Sequence, residues 1–158
     1  SARLAKSVYI WCGTEQVSEL RAGFVAAGMS TRLCGWEKSN PSPMNGQHIW
    51  LSALEACVYG KREGAYFDEF CKPPVFRGPT EDKQEHPTQK PVWLMQRLVK
   101  ASVKQGGTVF DPFMGSGTTG VAALTMGRRF VGVELRQDYY EIACNRIENA
   151  QRQERLFA

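Results

Sequence analysis

Three glycines, Gly115, Gly117 and Gly120, stand at G-x-G-x-x-G spacing within the run TVFDPFMGSGTTG, Thr108 to Gly120. A short β-branched and aromatic stretch precedes them and a helical pattern follows. Glycine in such a turn lets backbone approach a ligand, and the amides opening the next helix favour a negatively charged group. Ser116, Thr118 and Thr119 can cap that helix or donate to the ligand. The next strand, RRFVGVE, ends in Glu134, 19 positions after Gly115. A carboxylate there can accept from both hydroxyls of a ribose. Loop and carboxylate together point to a ribose-bearing cofactor, against the plainer alternative of a tight turn and a solvated charge.

A dinucleotide is the first cofactor such residues suggest. A dinucleotide-binding domain, however, usually opens with its glycine turn and builds a second mononucleotide half after it. Here one helix follows Glu134, so the pattern favours a smaller cofactor and a sheet that begins elsewhere in the chain.

The elements that must position this loop are readable upstream and downstream. Ser7–Cys12 (SVYIWC) reads as a buried strand. Thr14 is the expected N-cap of a helix carrying Val17, Leu20, Phe24 and Val25, stopped by Gly28. A strand is expected over Ser30–Trp36, a loop over EKSNPSPMNGQ, and a third apolar stretch over Ile49–Tyr59. Gly60 to Gln89 holds four of the eight prolines, many charges and no periodicity. Pro91 then opens a helix with Val92, Leu94, Met95, Leu98 and Val99 on one face, ended by Gly106-Gly107. Strand Thr108–Asp111, helix Ser116–Met126, strand Arg129–Glu134 and helix Asp138–Gln153 complete an α/β pattern with a largely parallel sheet.

Composition narrows the class. The 158 residues suffice for one domain, and 42% hydrophobic with 23% charged residues is globular rather than disordered. No window approaches the roughly 20 apolar residues of a membrane span. Cys12, Cys34, Cys57, Cys71 and Cys144 lack the close spacing of a zinc site or disulfide framework and read as reduced thiols of a cytoplasmic protein. His48 and His86 are far apart, so no metal site is expected. A net charge of +4 is compatible with nucleic acid without requiring it.

Three segments give direction: DPFMGSGTTG (Asp111–Gly120), EHPTQKP (Glu85–Pro91) and WEKSNPSP (Trp36–Pro43). They resemble the hallmarks of S-adenosylmethionine-dependent DNA amino-methyltransferases, which methylate N6 of adenine or N4 of cytosine. Their order is similar to that of the permuted subgroup, in which the catalytic half precedes the cofactor half. The resemblance spans nearly the whole chain and implies a Rossmann-like fold. It makes Asp111, Pro112, Phe113, Gly115, Ser116, Gly117, Thr118 and Thr119 the cofactor loop and Glu134 the ribose-holding carboxylate. Thr88, Gln89 and Lys90 match the segment lining the methionine end, where a lysine can pair with a carboxylate. Trp36, Lys38, Asn40 and Pro41 match a segment near the target base, although Trp36 as core and Asn40-Pro41 as a turn would explain them too.

The irregular stretch within residues 60–85 falls where the family carries target recognition. Lys61, Arg62, Lys72, Arg77 and Lys83 are candidates for phosphate, and Tyr66, Phe67 and Phe70 for stacking or wedging. Interleaved acids leave a solvated loop as the alternative.

The same resemblance implies a catalytic tetrapeptide of Asp, Asn or Ser, two prolines and an aromatic residue. NPSP at Asn40 lacks the second adjacent proline and the aromatic, and KPPV at Lys72 begins with a cation that cannot accept a hydrogen bond. In the permuted order the motif precedes Ser7–Cys12, so the expectation is a single methyltransferase domain cut from its N-terminal segment. That segment is then lost, cleaved but bound, or supplied by a second copy, and the partner of the whole is double-stranded DNA. The other readings are an inactive DNA- or cofactor-binding remnant, an NAD-dependent oxidoreductase, and methyl transfer to RNA or protein amino groups.

Overall fold

The computed structural model describes residues 5–43, 48–81 and 89–157, with side chains to residue 153. It divides into two compact units, Ser1–Thr80 and Glu81–Ala158.

The first unit runs β1 (Ser7–Cys12), a 3-10 turn (Thr14–Gln16), α1 (Val17–Ala26), β2 (Ser30–Lys38), β3 (Leu54–Lys61) and β4 (Val75–Gly78). Strand alternation turns Val8, Ile10 and Cys12 of β1 toward α1, where they pack on buried Phe24, Met29 and Val58 with Val17 and Leu20. The strand order is β1-β3-β2-β4. β3 lies antiparallel to both neighbours, with Tyr9 opposite Tyr59 and Cys34 opposite Cys57. β4 is parallel to β2, with Trp36 opposite Phe76.

Local departures from the sequence reading have local causes. Thr14 lies inside the 3-10 turn and does not cap α1; the Gln16 side chain instead accepts from the Gly13 amide at 3.1 Å. Of the apolar stretch Ile49–Tyr59, only the part from Leu54 onward is strand, and Ile49 and Trp50 are 76% and 94% exposed. The stretch after Gly60 does contain regular structure. Pro73 and Pro74, which lack amide donors, stand just ahead of edge strand β4, where they interrupt no ladder, and the Pro74 carbonyl accepts from Gly35 at 3.0 Å.

The second unit runs α2 (Val92–Ser102), β5 (Thr108–Asp111), α3 (Thr118–Leu124), β6 (Arg129–Gly132) and α4 (Gln137–Phe157). β5 and β6 pair in parallel, Val109 opposite Phe130. α3 packs on α2, α4 and both strands, over a core that includes Leu94, Leu98, Ala122, Ala123 and Ala143. On the other face of the two strands, Phe110 and Val131 sit opposite each other and are 51% and 52% exposed, with Val133 alongside.

The α/β class stands, but the strands are not mostly parallel. Two pairings are parallel (β5 with β6, β2 with β4) and two antiparallel (β1 with β3, β2 with β3). Parallel neighbours need a long crossover. β3 instead inserts between β1 and β2, running against both. No helix among the described residues is long and apolar enough to cross a membrane, and no three metal-binding side chains cluster there.

All five cysteines are free thiols. Cys34 and Cys57 are buried, and burial pushes the Cys34 thiol up to about 11. Thiolate is the reactive form. Iodoacetamide at pH 8 should therefore label exposed Cys71 in the native protein and spare Cys34 and Cys57 until denaturant is added, as read by peptide mass mapping.

Candidate functional site

β5 ends at Asp111, whose carboxylate Oδ1 accepts from the Phe113 amide at 3.0 Å and turns the chain away from the sheet. The ladder nevertheless continues: Val133 donates to the Asp111 carbonyl at 2.9 Å and Met114 to the Val133 carbonyl at 3.0 Å. The loop thus springs from β5 while still held by the extension of β6.

Two glycines close the turn. Gly117 has φ +79, and a Cβ there would lie 3.0 Å from the Ala143 Cα of α4. A Cβ on Gly120 would fall 2.6 Å from Ile147 and 2.8 Å from the Phe130 ring. The first meets a backbone need, the second the close approach of helix to strand. α3, at seven residues, is shorter than the sequence pattern predicted.

Glu134 closes the loop electrostatically. One carboxylate oxygen accepts from the Gly115 amide at 2.9 Å and the other from the Arg136 amide at 3.0 Å. Each oxygen keeps further acceptor capacity. A half-buried, pre-oriented carboxylate beside a glycine turn suits the paired hydroxyls of a ribose. Exposed Phe113 and Leu135, 87% and 98% accessible, stand in the loop and just beyond Glu134.

The polar side chains next to it turn inward. Ser116, Thr118 and Gln89 are only 3%, 6% and 8% exposed. Ser116 Oγ donates to Gln89 Oε1 at 2.9 Å and accepts from Arg146 Nη1 at 2.9 Å, and the same nitrogen reaches Thr118 Oγ1 at 3.2 Å. The Ser116 and Thr118 hydroxyls are engaged within the protein, so at these two positions the loop presents backbone more than side chain. Pro112, Thr119 and Lys90 are half-buried. Thr88, the remaining residue expected here, lies outside the described residues, as does Lys83.

The residues expected near DNA are more tied down than the sequence suggested. Trp36 is core: 1% exposed, its indole donates to the Gly78 carbonyl at 3.1 Å and joins β2 to the end of β4. Lys38 pairs with Glu55 at 2.7 Å and lies over the Trp36 ring. Asn40 Oδ1 accepts from the amide and hydroxyl of Thr80 at 2.8 and 3.3 Å, next to half-buried Pro41. Arg62 donates to the Ala27 carbonyl at 2.8 Å, capping α1, and Lys61 Nζ reaches the Arg62 carbonyl at 3.5 Å. Arg77 remains accessible, its side chain 77% exposed and paired with Glu37 at 2.8 Å. Phe67 stacks on Tyr59 and meets Phe70 edge-on, leaving Phe70, at 74% exposure, as the accessible aromatic of that trio.

Residues 15–145 match a family model described as DNA methylase. The chain is 30% identical to the type II methyltransferase M2.DpnII of Streptococcus pneumoniae over 92% of its own length and 64% of that relative's. It is 32% identical to the DNA adenine methyltransferase YhdJ of Escherichia coli K12 over 78% of this chain and 36% of the relative. Among solved structures, M1.HpyAVI in complex with SAM superposes with a TM-score of 0.78 at 28% identity, covering 89% of this chain and 74% of that one. The chain therefore spans about two thirds of the length of the S. pneumoniae relative.

The loop geometry makes a stability prediction. Gly117→Ala places a Cβ against α4 backbone in a left-handed conformation, at a cost of roughly 1–3 kcal/mol. Urea unfolding monitored by circular dichroism should show a lower midpoint, whereas Gly64→Ala, with positive φ but open space around it, should cost less.

Proposed function

This chain belongs to the DNA methylase family, and on that premise we propose that it is the cofactor-binding and DNA-facing part of an S-adenosylmethionine-dependent methyltransferase. The substrate is an exocyclic amino group, adenine N6 or cytosine N4, in double-stranded DNA; the YhdJ relative is by name an adenine methyltransferase. The reading places the protein in the cytoplasm. The observation that carries it is the Glu134 carboxylate, anchored by two amides at the mouth of the glycine turn.

In this reading Glu134 accepts from the ribose hydroxyls, and the backbone of Gly115–Thr118 supplies the wall against which the nucleoside rests. Exposed Phe113 and Leu135 offer apolar surface to the base. Lys90 and Gln89 stand on the segment assigned to the methionine end, with Gln89 acting through Ser116. S-adenosylmethionine, when bound, supplies an electrophilic methyl group on a sulfonium. Arg77 and Phe70, both accessible and within the segment 60–85, are candidates to meet DNA.

A hydrogen-bond acceptor for the target amino group is still required. Asn40 is engaged with Thr80 and Lys72 is a cation, so neither short proline segment of these 158 residues provides one. We infer that the acceptor comes from polypeptide beyond these residues or from a second copy. The unpaired outer edges of β1 and β5 can each accept a strand by backbone pairing. The same absence favours, as a second reading, a remnant that binds cofactor or DNA without turning over.

Calorimetric titration with S-adenosylmethionine should show binding that Glu134→Ala weakens roughly 10- to 100-fold, the scale of losing hydrogen bonds to a charged group. NAD should not compete. A folded chain that prefers NAD, or ignores the substitution, would sink the cofactor reading. Transfer of labelled methyl to duplex DNA by the chain alone would remove the need for an external acceptor and exclude the remnant.

A further inference from the structure

Beneath the glycine turn lies a polar cluster built from four separate stretches of the second unit. Arg146 rises from α4 and directs Nη1 at three oxygens: the Ser116 carbonyl at 2.8 Å, the Ser116 hydroxyl at 2.9 Å and the Thr118 hydroxyl at 3.2 Å. Its Nη2 lies 3.8 Å from Glu81 Oε2. Glu81 Oε2 also accepts from Gln89 Nε2 at 2.5 Å, and Glu81 Oε1 accepts from the Val92 amide at 2.7 Å, the first of α2. Gln89 completes the circuit through Ser116. The Arg146 and Glu81 side chains are 23% and 27% exposed, so the charges are sheltered but compensated.

We propose that Arg146, seconded by Glu81, is the positioning residue of the cofactor site. It holds the Ser116–Thr118 backbone, and Gln89 beside it, in the arrangement the cofactor meets. This rests on the reading that the turn binds S-adenosylmethionine. The Ser116 and Thr118 hydroxyls face Arg146, so between them the turn offers backbone to a ligand, and the position of that backbone depends on what lies behind it. A flexible glycine turn has little rigidity of its own. A planar guanidinium with several fixed donors can impose it where a point charge cannot.

Arg128 provides the contrast needed to separate positioning from stability. Its guanidinium grips the Val103 carbonyl at 2.9 and 3.1 Å and Gln105 Oε1 at 2.7 Å. Val103 and Gln105 precede β5 and Arg128 precedes β6, so this clamp sits at the start of two parallel strands whose far ends carry the turn.

The experiment measures S-adenosylmethionine affinity by calorimetry and melting temperature on the same samples of the 158-residue chain. Arg146→Met should weaken binding about tenfold or more, while Arg128→Gln, at a comparable loss of melting temperature, should stay within about twofold of the parent. Arg146→Lys, which keeps the charge but not the fork, should recover only part of the affinity. Should Arg146→Met fail to fold, Glu81→Gln carries the test, with an expected weakening of about threefold. Parent-like affinity in Arg146→Met, or in Glu81→Gln where that substitutes for it, overturns the proposal. So does a loss in Arg146→Met that Arg128→Gln reproduces at equal melting temperature. A folded parent chain that does not bind S-adenosylmethionine overturns the cofactor reading itself.

Discussion

The bond on which the cofactor half turns is the one from the Gly115 amide to the Glu134 carboxylate. It joins the ends of two strands, β5 and β6, that carry the two halves of the site. Because the carboxylate is a charged acceptor, the bond is stronger than a neutral one. Because Arg136 donates to its other oxygen, the group is fixed at both oxygens. The carboxylate proposed to meet the ribose is thus oriented by the loop beside it, and a ligand need not pay to order it.

Much of this was legible in the sequence. SVYIWC and TVFD announce their strands by β-branched and aromatic content, and their bounds match the structure. The need for glycine at these positions was legible too, since a Cβ on Gly117 or Gly120 would strike α4 or β6. What the linear pattern hid was strand direction. β3 inserts between β1 and β2 and runs against both, a choice set by the pairing of distant segments and not by any local signal. β4 was hidden for a related reason, because four residues behind a pair of prolines have too little periodicity to stand out.

The polar residues divide along the same line. Residue type suggested Ser116 and Thr118 as caps or donors to a ligand and Arg62 as a contact for phosphate, while the family resemblance set Gln89 at the methionine end and Lys38 near the target base. Each has a hydrogen-bond or ion-pair partner in the protein within 3.2 Å, Thr118 as the acceptor from Arg146. A sheltered polar group must find such a partner, and the sequence cannot say which side of a turn it will find it on. Arg146 and Glu81 were missed by the same blindness. The one signal for Arg146 is its place between Ala143 and Ile147 on the inner face of α4, where a charged residue among apolar neighbours asks for compensation.

The face of β5 and β6 turned away from α3 carries Phe110, Val131 and Val133, each about half accessible, beside a β5 edge that pairs with no other strand among the described residues. Apolar side chains next to unsatisfied backbone are the ingredients of edge-to-edge association. This face therefore bears on the colloidal behaviour of the polypeptide. Its net charge of +4 offers only modest repulsion against that stickiness, and added salt weakens it further.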